Sequence, residues 1–463
     1  MRTASKVVVI GLDSAPTLLL DEWLPDLPNL RRLAEEGVYG PIQSSVPPIT
    51  IPAWATFATS KNPGKLGFFG FRNRVDFAYD RLATANATSV REPTVWQILS
   101  KAGKRVGLIG VPQTYPPQPI NGFVISCFMT PDAESQYTWP VALKEEIERK
   151  FGPYQFDCKF RTEAKARLLS AIYEMTGRRF RIARHLLSSL PWDFFMMVEM
   201  GPDRIQHGFW KYYDQQHRKY EPGNEFERAI PSYYCYLDRE IGELLAVAGK
   251  EAAVIVVSDH GAKRMEGSFN LNDWLIREGY LHLAEQPSGL QEFRKTKVDW
   301  SRTTAWGWGG YYARVFLNVA GREPQGIVDP ARYEALRDEL AEKLRSLQDD
   351  RGRVMATRVI KPQEVYTGPY TDTAPDLIVY LDDLYWRASE DVGHAGLHSF
   401  ETEIGPDDAV HAEQGIYILR PPGGNGGGRR LEGLRLLDGG APTILSLFGL
   451  PIPPDMEGQP VLL

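Results

Sequence analysis

Apolar residues recur along this chain in two patterns. Short, nearly unbroken apolar runs bounded by Gly, Pro, Asp or basic residues occur at residues 7–10 (VVVI), 104–109 (KRVGLI), 193–198 (DFFMMV), 252–257 (AAVIVV), 376–380 (DLIVY) and 415–419 (GIYIL). Their length and β-branched and aromatic content predict buried strands. Between them, residues 28–36, 93–102, 141–150, 164–188, 233–248 and 331–347 space their apolar positions as amphipathic helices do. Strands buried on both faces, alternating with helices, predict an α/β fold: a mainly parallel central sheet with helices on both faces.

Two stretches break the alternation. Residues 263–358 hold a Trp/Gly/Tyr-rich segment (Trp306, Trp308, Tyr311, Tyr312), a strand-like run at 313–318 and a charged helix, and are expected to form an inserted cap subdomain. The catalytic core then comprises residues 1–262 and 359–463. The mostly helical stretch around 130–190 is a second candidate to overhang the sheet. The run PPGGNGGG at 421–428 lacks the strand-to-helix setting of a dinucleotide fingerprint and is expected to be a hairpin loop.

Composition narrows the function classes. The 463 residues are 43% hydrophobic and 24% charged, enough to build a large core, and 42 glycines with 34 prolines imply many loops. A net charge of -6 argues against general nucleic-acid binding. Cys127, Cys158 and Cys235 form no CxxC pair and read as buried small hydrophobes. No run of 18 apolar residues occurs, so no membrane span is expected, and without an export signal the default location is cytoplasmic. The oligomeric state is open.

The acidic and histidine residues carry the chemistry. Open α/β sheets gather ligand groups beyond the carboxyl ends of their strands. Asp13 follows the first strand, Asp203 and His207 lie in GPDRIQH after the 193–198 strand, Asp259 and His260 follow 252–257 in VVSDHG, and His411 sits on a loop before a strand. If Pro202 opens a helix, Asp203 and His207 share one face and can close on one ion. Asp259 and His260 are adjacent, and Gly261 permits the sharp turn that would let both serve one ion. Three carboxylates and three imidazoles suit two divalent ions, zinc before manganese. Thr50 lies between Pro48 and Pro52, ahead of a helical stretch from about Ala53. A hydroxyl there would face helix N–H groups able to cradle a phosphoryl oxygen.

In this order, the motifs VIGLDSA, PPITIPAWATFATSKNPGKLG, GPDRIQH, VVSDHG and DDAVHAEQGIYIL resemble the alkaline phosphatase superfamily, and within it the type I phosphodiesterase/nucleotide pyrophosphatase family. The C-terminal stretch APTILSLFGLPIPPDMEGQP is similar to that family's closing segment. The resemblance implies one metal held by Asp13, Thr50, Asp259 and His260 and a second held by Asp203, His207 and His411. It also implies a phospho-threonine intermediate on Thr50, hydrolysis of phosphodiester or pyrophosphate bonds, and a small phosphate ester or nucleotide-like substrate.

The chain departs from the family after the nucleophile. Leu66 precedes Gly67 where a His is common, and the nearest Asn to serve a phosphate oxygen is Asn73, with Arg72 beside it as a phosphate-matching alternative. Arg72 and the missing His favour a phosphomonoesterase as the second reading, and a catalytically silent metal-binding protein is the third. A sulfatase is disfavoured because Thr50 has no Cys or Ser in a C/S-x-P-x-R setting. His394, His398, His185, His217 and His282 fall outside the proposed ligand set.

Overall fold

The computed structural model describes residues 3–462. Its centre is a ten-stranded sheet whose middle is built from the most apolar runs of the sequence. Val7–Leu12 lies between Phe194–Glu199 and Ala253–Val257, parallel to both, and Phe194–Glu199 continues in parallel to Val106–Ile109 and Gly122–Ile125. Burial on both faces explains why these strands alternate no polar residues. Beyond Ala253–Val257 the direction reverses: Gln414–Arg420 pairs antiparallel with it and with Val38–Gln43.

Two groups of mutually packed helices cover the sheet. Pro28–Glu36, Lys165–Ser189, Gly201–Tyr213 and Ala229–Ala248 form one, and Thr50–Thr59, Val95–Lys101, Leu436–Gly439 and Ala441–Leu447 the other. Each of the six expected helices is present, with ends shifted by a few residues; Pro330–Arg332 is a short 3-10 turn ahead of Tyr333–Arg345. The largest hydrophobic core lies around this sheet. Among the described residues no helix is long and apolar enough to cross a membrane.

A second, smaller core belongs to a separate sheet in the order Ala305–Trp308, Ala313–Leu317, Leu377–Tyr380, Arg358–Ile360. Leu377–Tyr380 was expected beside the central strands. It pairs antiparallel with Ala313–Leu317 and Arg358–Ile360 instead, because an apolar run specifies burial and not the sheet in which it is buried. The boundary expected at residue 358 falls at the start of a strand of this sheet. The Gly-rich run at 421–428 makes no hairpin either. The strands it joins lie on opposite sides of Val38–Gln43, and its amides at Asn425 and Gly426 donate to the Glu36 carbonyl.

Candidate dimetal site

The parallel strands deliver the first three candidate ligands. Asp13 continues Val7–Leu12, its N–H still donating to the Glu199 carbonyl at 3.1 Å. Asp259 and His260 leave Ala253–Val257 as the chain turns into Gly261–Arg264. Asp203 and His207 project from one face of Gly201–Tyr213, whose first turn carries Pro202, as their spacing of four anticipates. His411 corrects the expectation of a loop. It lies in a short strand, Ala409–Ala412, opposite Ala262 of the antiparallel Gly261–Arg264 strand, which sets it beside His260. The two imidazoles stack with centroids 3.8 Å apart.

The seven residues converge, and all are buried. Ligand atoms of Asp13, Asp259 and His260 lie within 4.8 Å of one another, and so do those of Asp203, His207 and His411. Thr50 Oγ1 is 3.4 Å from His260 Nε2. Thr50 is the first residue of its helix, three positions earlier than the sequence suggested, so its hydroxyl stands at the unpaired N–H end.

Orientation is set by the groups behind each ligand. Trp54 Nε1 donates to Asp13 Oδ2 at 2.8 Å, reached because the indole lies against Gly11, where a Cβ would stand 2.5 Å from Trp54 Cη2. The Ser14 amide donates to Asp259 Oδ1 at 3.2 Å. His260 Nδ1 donates to the Gly261 carbonyl at 3.0 Å and His411 Nδ1 to the Pro48 carbonyl at 2.8 Å. Both rings therefore present an Nε2 lone pair. His207 Nδ1 meets Asp407 Oδ1 at 2.7 Å, and Asp407 is itself held by Tyr311 Oη at 2.8 Å and by Arg161 Nη2 at 3.2 Å. Arg204 bonds Asp203 Oδ2 and, through two contacts of 2.7 Å, Asp157, leaving Asp203 Oδ1 on the side of His207.

These contacts leave a deficit of positive charge. Asp13 Oδ1 and Asp259 Oδ2 are buried with no hydrogen-bond partner. Burial and then the Asp203 charge push Asp13 up to about 8, and burial with the Asp13 charge raises Asp259 well above the usual carboxylate range. Burial pushes His260 down to about 4, and burial with its two neighbouring imidazoles holds His411 well below the usual histidine range. Burial works against the charged form of His207 too, but Asp407 and Asp203 outweigh it and raise the group to about 9. Two unpaired carboxyl oxygens beside the His260 lone pair, and Asp203 Oδ1 beside His207 and His411, are donor sets that each fit a divalent cation once Asp13 and His207 give up their protons.

Above Thr50 opens a cavity of about 880 Å³, with Thr50, Asp203, His207 and His411 in its floor. Arg72 lines it. Asn73 does not: its Oδ1 accepts from the Phe69 amide at 2.7 Å and its Nδ2 donates to the Gly70 carbonyl at 3.0 Å, so it braces the loop. His394 and His398 stay outside, bonded to Asp273 and to the Gln348 carbonyl. Asp407, Tyr311, Arg161 and Arg204 were not singled out from the sequence. Only Asp407, four residues before His411, had a signal that could have found it.

The fold is that of the alkaline phosphatase superfamily. A sequence profile of the type I phosphodiesterase / nucleotide pyrophosphatase family matches residues 7–406, and the chain belongs to that family of phosphoric ester hydrolases. Among solved structures, phosphonoacetate hydrolase from Sinorhizobium meliloti with bound phosphonoformate is similar at a TM-score of 0.59 and 16% identity, covering 96% of this chain and 95% of that one. Human ectonucleotide pyrophosphatase / phosphodiesterase 5 is similar at 0.56 and 14%, covering 97% and 96%. The murine counterpart, an inactive variant in complex with AMP, is similar at 0.56 and 13%, with the same coverage. No curated protein sequence matches.

Proposed function

We propose that the protein hydrolyses phosphodiester or pyrophosphate bonds of a small organic substrate, with Thr50 as nucleophile. The observation that carries this reading is the position of Thr50 Oγ1: buried, 3.4 Å from His260 Nε2 of one triad, at the positive end of a helix, and in the floor of the cavity that Asp203, His207 and His411 of the other triad also line. Asp13, Asp259 and His260, with Thr50, would hold one ion; Asp203, His207 and His411 would hold the other, zinc being preferred by the imidazole and carboxylate donors and manganese second. Bound there, such ions supply Lewis-acid polarisation of the phosphoryl group and lower the pKa of coordinated hydroxyls.

The chain's own groups do the rest. The N–H end of the Thr50 helix would favour a phosphoryl oxygen, and Arg204 fixes Asp203 against rotation. Attack by Thr50 Oγ forms a P–O bond as the ester oxygen leaves, and water then cleaves the phospho-threonine. Two inversions give net retention at phosphorus.

The test is hydrolysis of a chromogenic aryl phosphodiester by metal-loaded protein. Thr50→Ala is expected to abolish turnover while leaving the fold intact; full turnover by that variant would remove the mechanism. A phosphomonoesterase is the second reading, favoured by Arg72 in the cavity wall. Comparing catalytic efficiency on aryl mono- and diesters separates the two.

A further inference from the structure

Six arginines line the cavity above Thr50, and four are neutralised in place. Arg161 is paired with Asp407, Arg204 with Asp157 and Asp203, Arg387 with Glu403 at 3.2 Å and Arg294 with Glu390 at 3.7 Å. Arg72 and Arg314 form no ion pair among the described residues.

The Arg314 guanidinium reaches the main chain of Arg72. Arg314 Nη1 donates to the main-chain carbonyl of Arg72 at 3.0 Å and Nη2 to the Gly309 carbonyl at 3.3 Å, while its Nε is buried without a partner. The rings of Trp308 and Tyr312, 5.3 and 5.7 Å from its guanidinium carbon, hold the group in place. Arg314 belongs to the strand Ala313–Leu317, three residues beyond Tyr311, which stacks on His411 with centroids 4.3 Å apart. Two carbonyl dipoles attenuate a full positive charge but do not cancel it. The carboxylates nearby are engaged: Glu390 also accepts from the Gly309 amide at 2.9 Å, and Glu403 holds Arg387.

We infer that Arg72 and Arg314 form a subsite for a second anionic group of the substrate, carried on the part that does not react. Resting on the hydrolase reading above, this names the substrate class: a phosphate ester whose remote arm bears a carboxylate, sulfonate or further phosphate. Guanidinium forks match those planar or tetrahedral oxyanions in pairs of hydrogen bonds. The reacting phosphoryl group would be met instead by the Thr50 helix terminus and by the cations that the two triads would hold.

Calorimetry with two probes that carry an uncleavable phosphorus–carbon bond, benzylphosphonate and para-carboxybenzylphosphonate, tests this on the metal-loaded protein. The carboxylated probe is expected to bind at least about tenfold more tightly. Arg72→Gln and Arg314→Gln are each expected to cut that advantage below about threefold, and Arg314→Lys to restore part of it. An equal loss of benzylphosphonate affinity in Arg72→Gln would put Arg72 on the reacting phosphoryl group, as the phosphomonoesterase reading has it, and overturn the subsite. Arg72 is on the surface, so its variant reports on the subsite whether or not the Arg314 variants fold. Equal affinity of the two probes for the unaltered protein, or an advantage retained by Arg72→Gln and Arg314→Gln, overturns the subsite. Turnover of the chromogenic diester without charge preference sinks the subsite alone. Charge preference without turnover of any phosphate ester supports the subsite and sinks the hydrolase reading.

Discussion

His207 Nδ1–H donates to Asp407 Oδ1 across 2.7 Å, and Asp407 is pinned from two other segments by Tyr311 and Arg161. One ligand's tautomer is thus fixed by residues from three distant parts of the chain. Carboxylates that orient a ligating imidazole typically contribute a factor of about 10 to 100 in metal affinity. Asp407→Asn is expected to weaken binding at the Asp203–His207–His411 triad by that factor and to leave the other triad unchanged. Competition against a chromophoric chelator measures it; two unaltered affinities would contradict the role.

Metal binding is expected to release protons. Burial and Asp203 hold Asp13 at about 8, and Asp407 with Asp203 overcome burial to hold His207 at about 9, so near neutrality both carry a proton that a cation must displace. Affinity therefore rises with pH until both groups have titrated. Calorimetry at about pH 7 in buffers of different ionisation enthalpy reads the count directly. No release, or an affinity independent of pH below about 8, would be inconsistent with these environments.

Stability has a separate pH dependence at His217, whose burial pushes it down to about 4 and whose Nε2 has no partner. The unfolded chain takes up a proton there below the ordinary histidine value of about 6.5, which the native state resists until about 4. The unfolded state binds more protons in that window, so stability falls as pH drops through it, by on the order of 3 kcal/mol. Denaturant titrations of the protein and of His217→Gln compare the slopes; the variant's is expected to be flatter, and identical slopes would contradict the assignment.

Gly11 is required by a close approach. A Cβ at this position would stand 2.5 Å from Trp54 Cη2 and 2.8 Å from Val198 Cγ2, so Gly11→Ala must displace the indole that holds Asp13. The expected cost is about 1 to 3 kcal/mol of stability, with a further loss of metal affinity at the Asp13 triad. Thermal unfolding with and without metal separates the two effects, and a variant matching the parent in both would show that the indole has room to move.

Much of this candidate site's geometry was legible in the sequence. Asp13, Asp259 and His260 follow strands whose apolar runs are hard to mistake, and the four-residue spacing of Asp203 and His207 becomes one helical face once Pro202 opens the helix. Residues whose roles arise from tertiary contacts were not legible. Tyr311 and Arg161 reach Asp407 across separations of 96 and 246 residues and have no local spacing to mark them. Leu377–Tyr380 fails for a related reason. Its apolar pattern specifies a buried strand, but the choice of sheet is made by its partners, Ala313–Leu317 and Arg358–Ile360. Asn73 shows the opposite case: as the nearest Asn after Thr50 it matched the Asn that touches a phosphate oxygen in the family it resembles, while the loop itself consumes both ends of its amide.

Anomalous diffraction from crystals loaded with zinc or manganese addresses the centre of the account. Two peaks per chain are expected, one among Asp13, Asp259 and His260 beside Thr50 and one among Asp203, His207 and His411. Saturating metal that leaves both triads without a peak would contradict it.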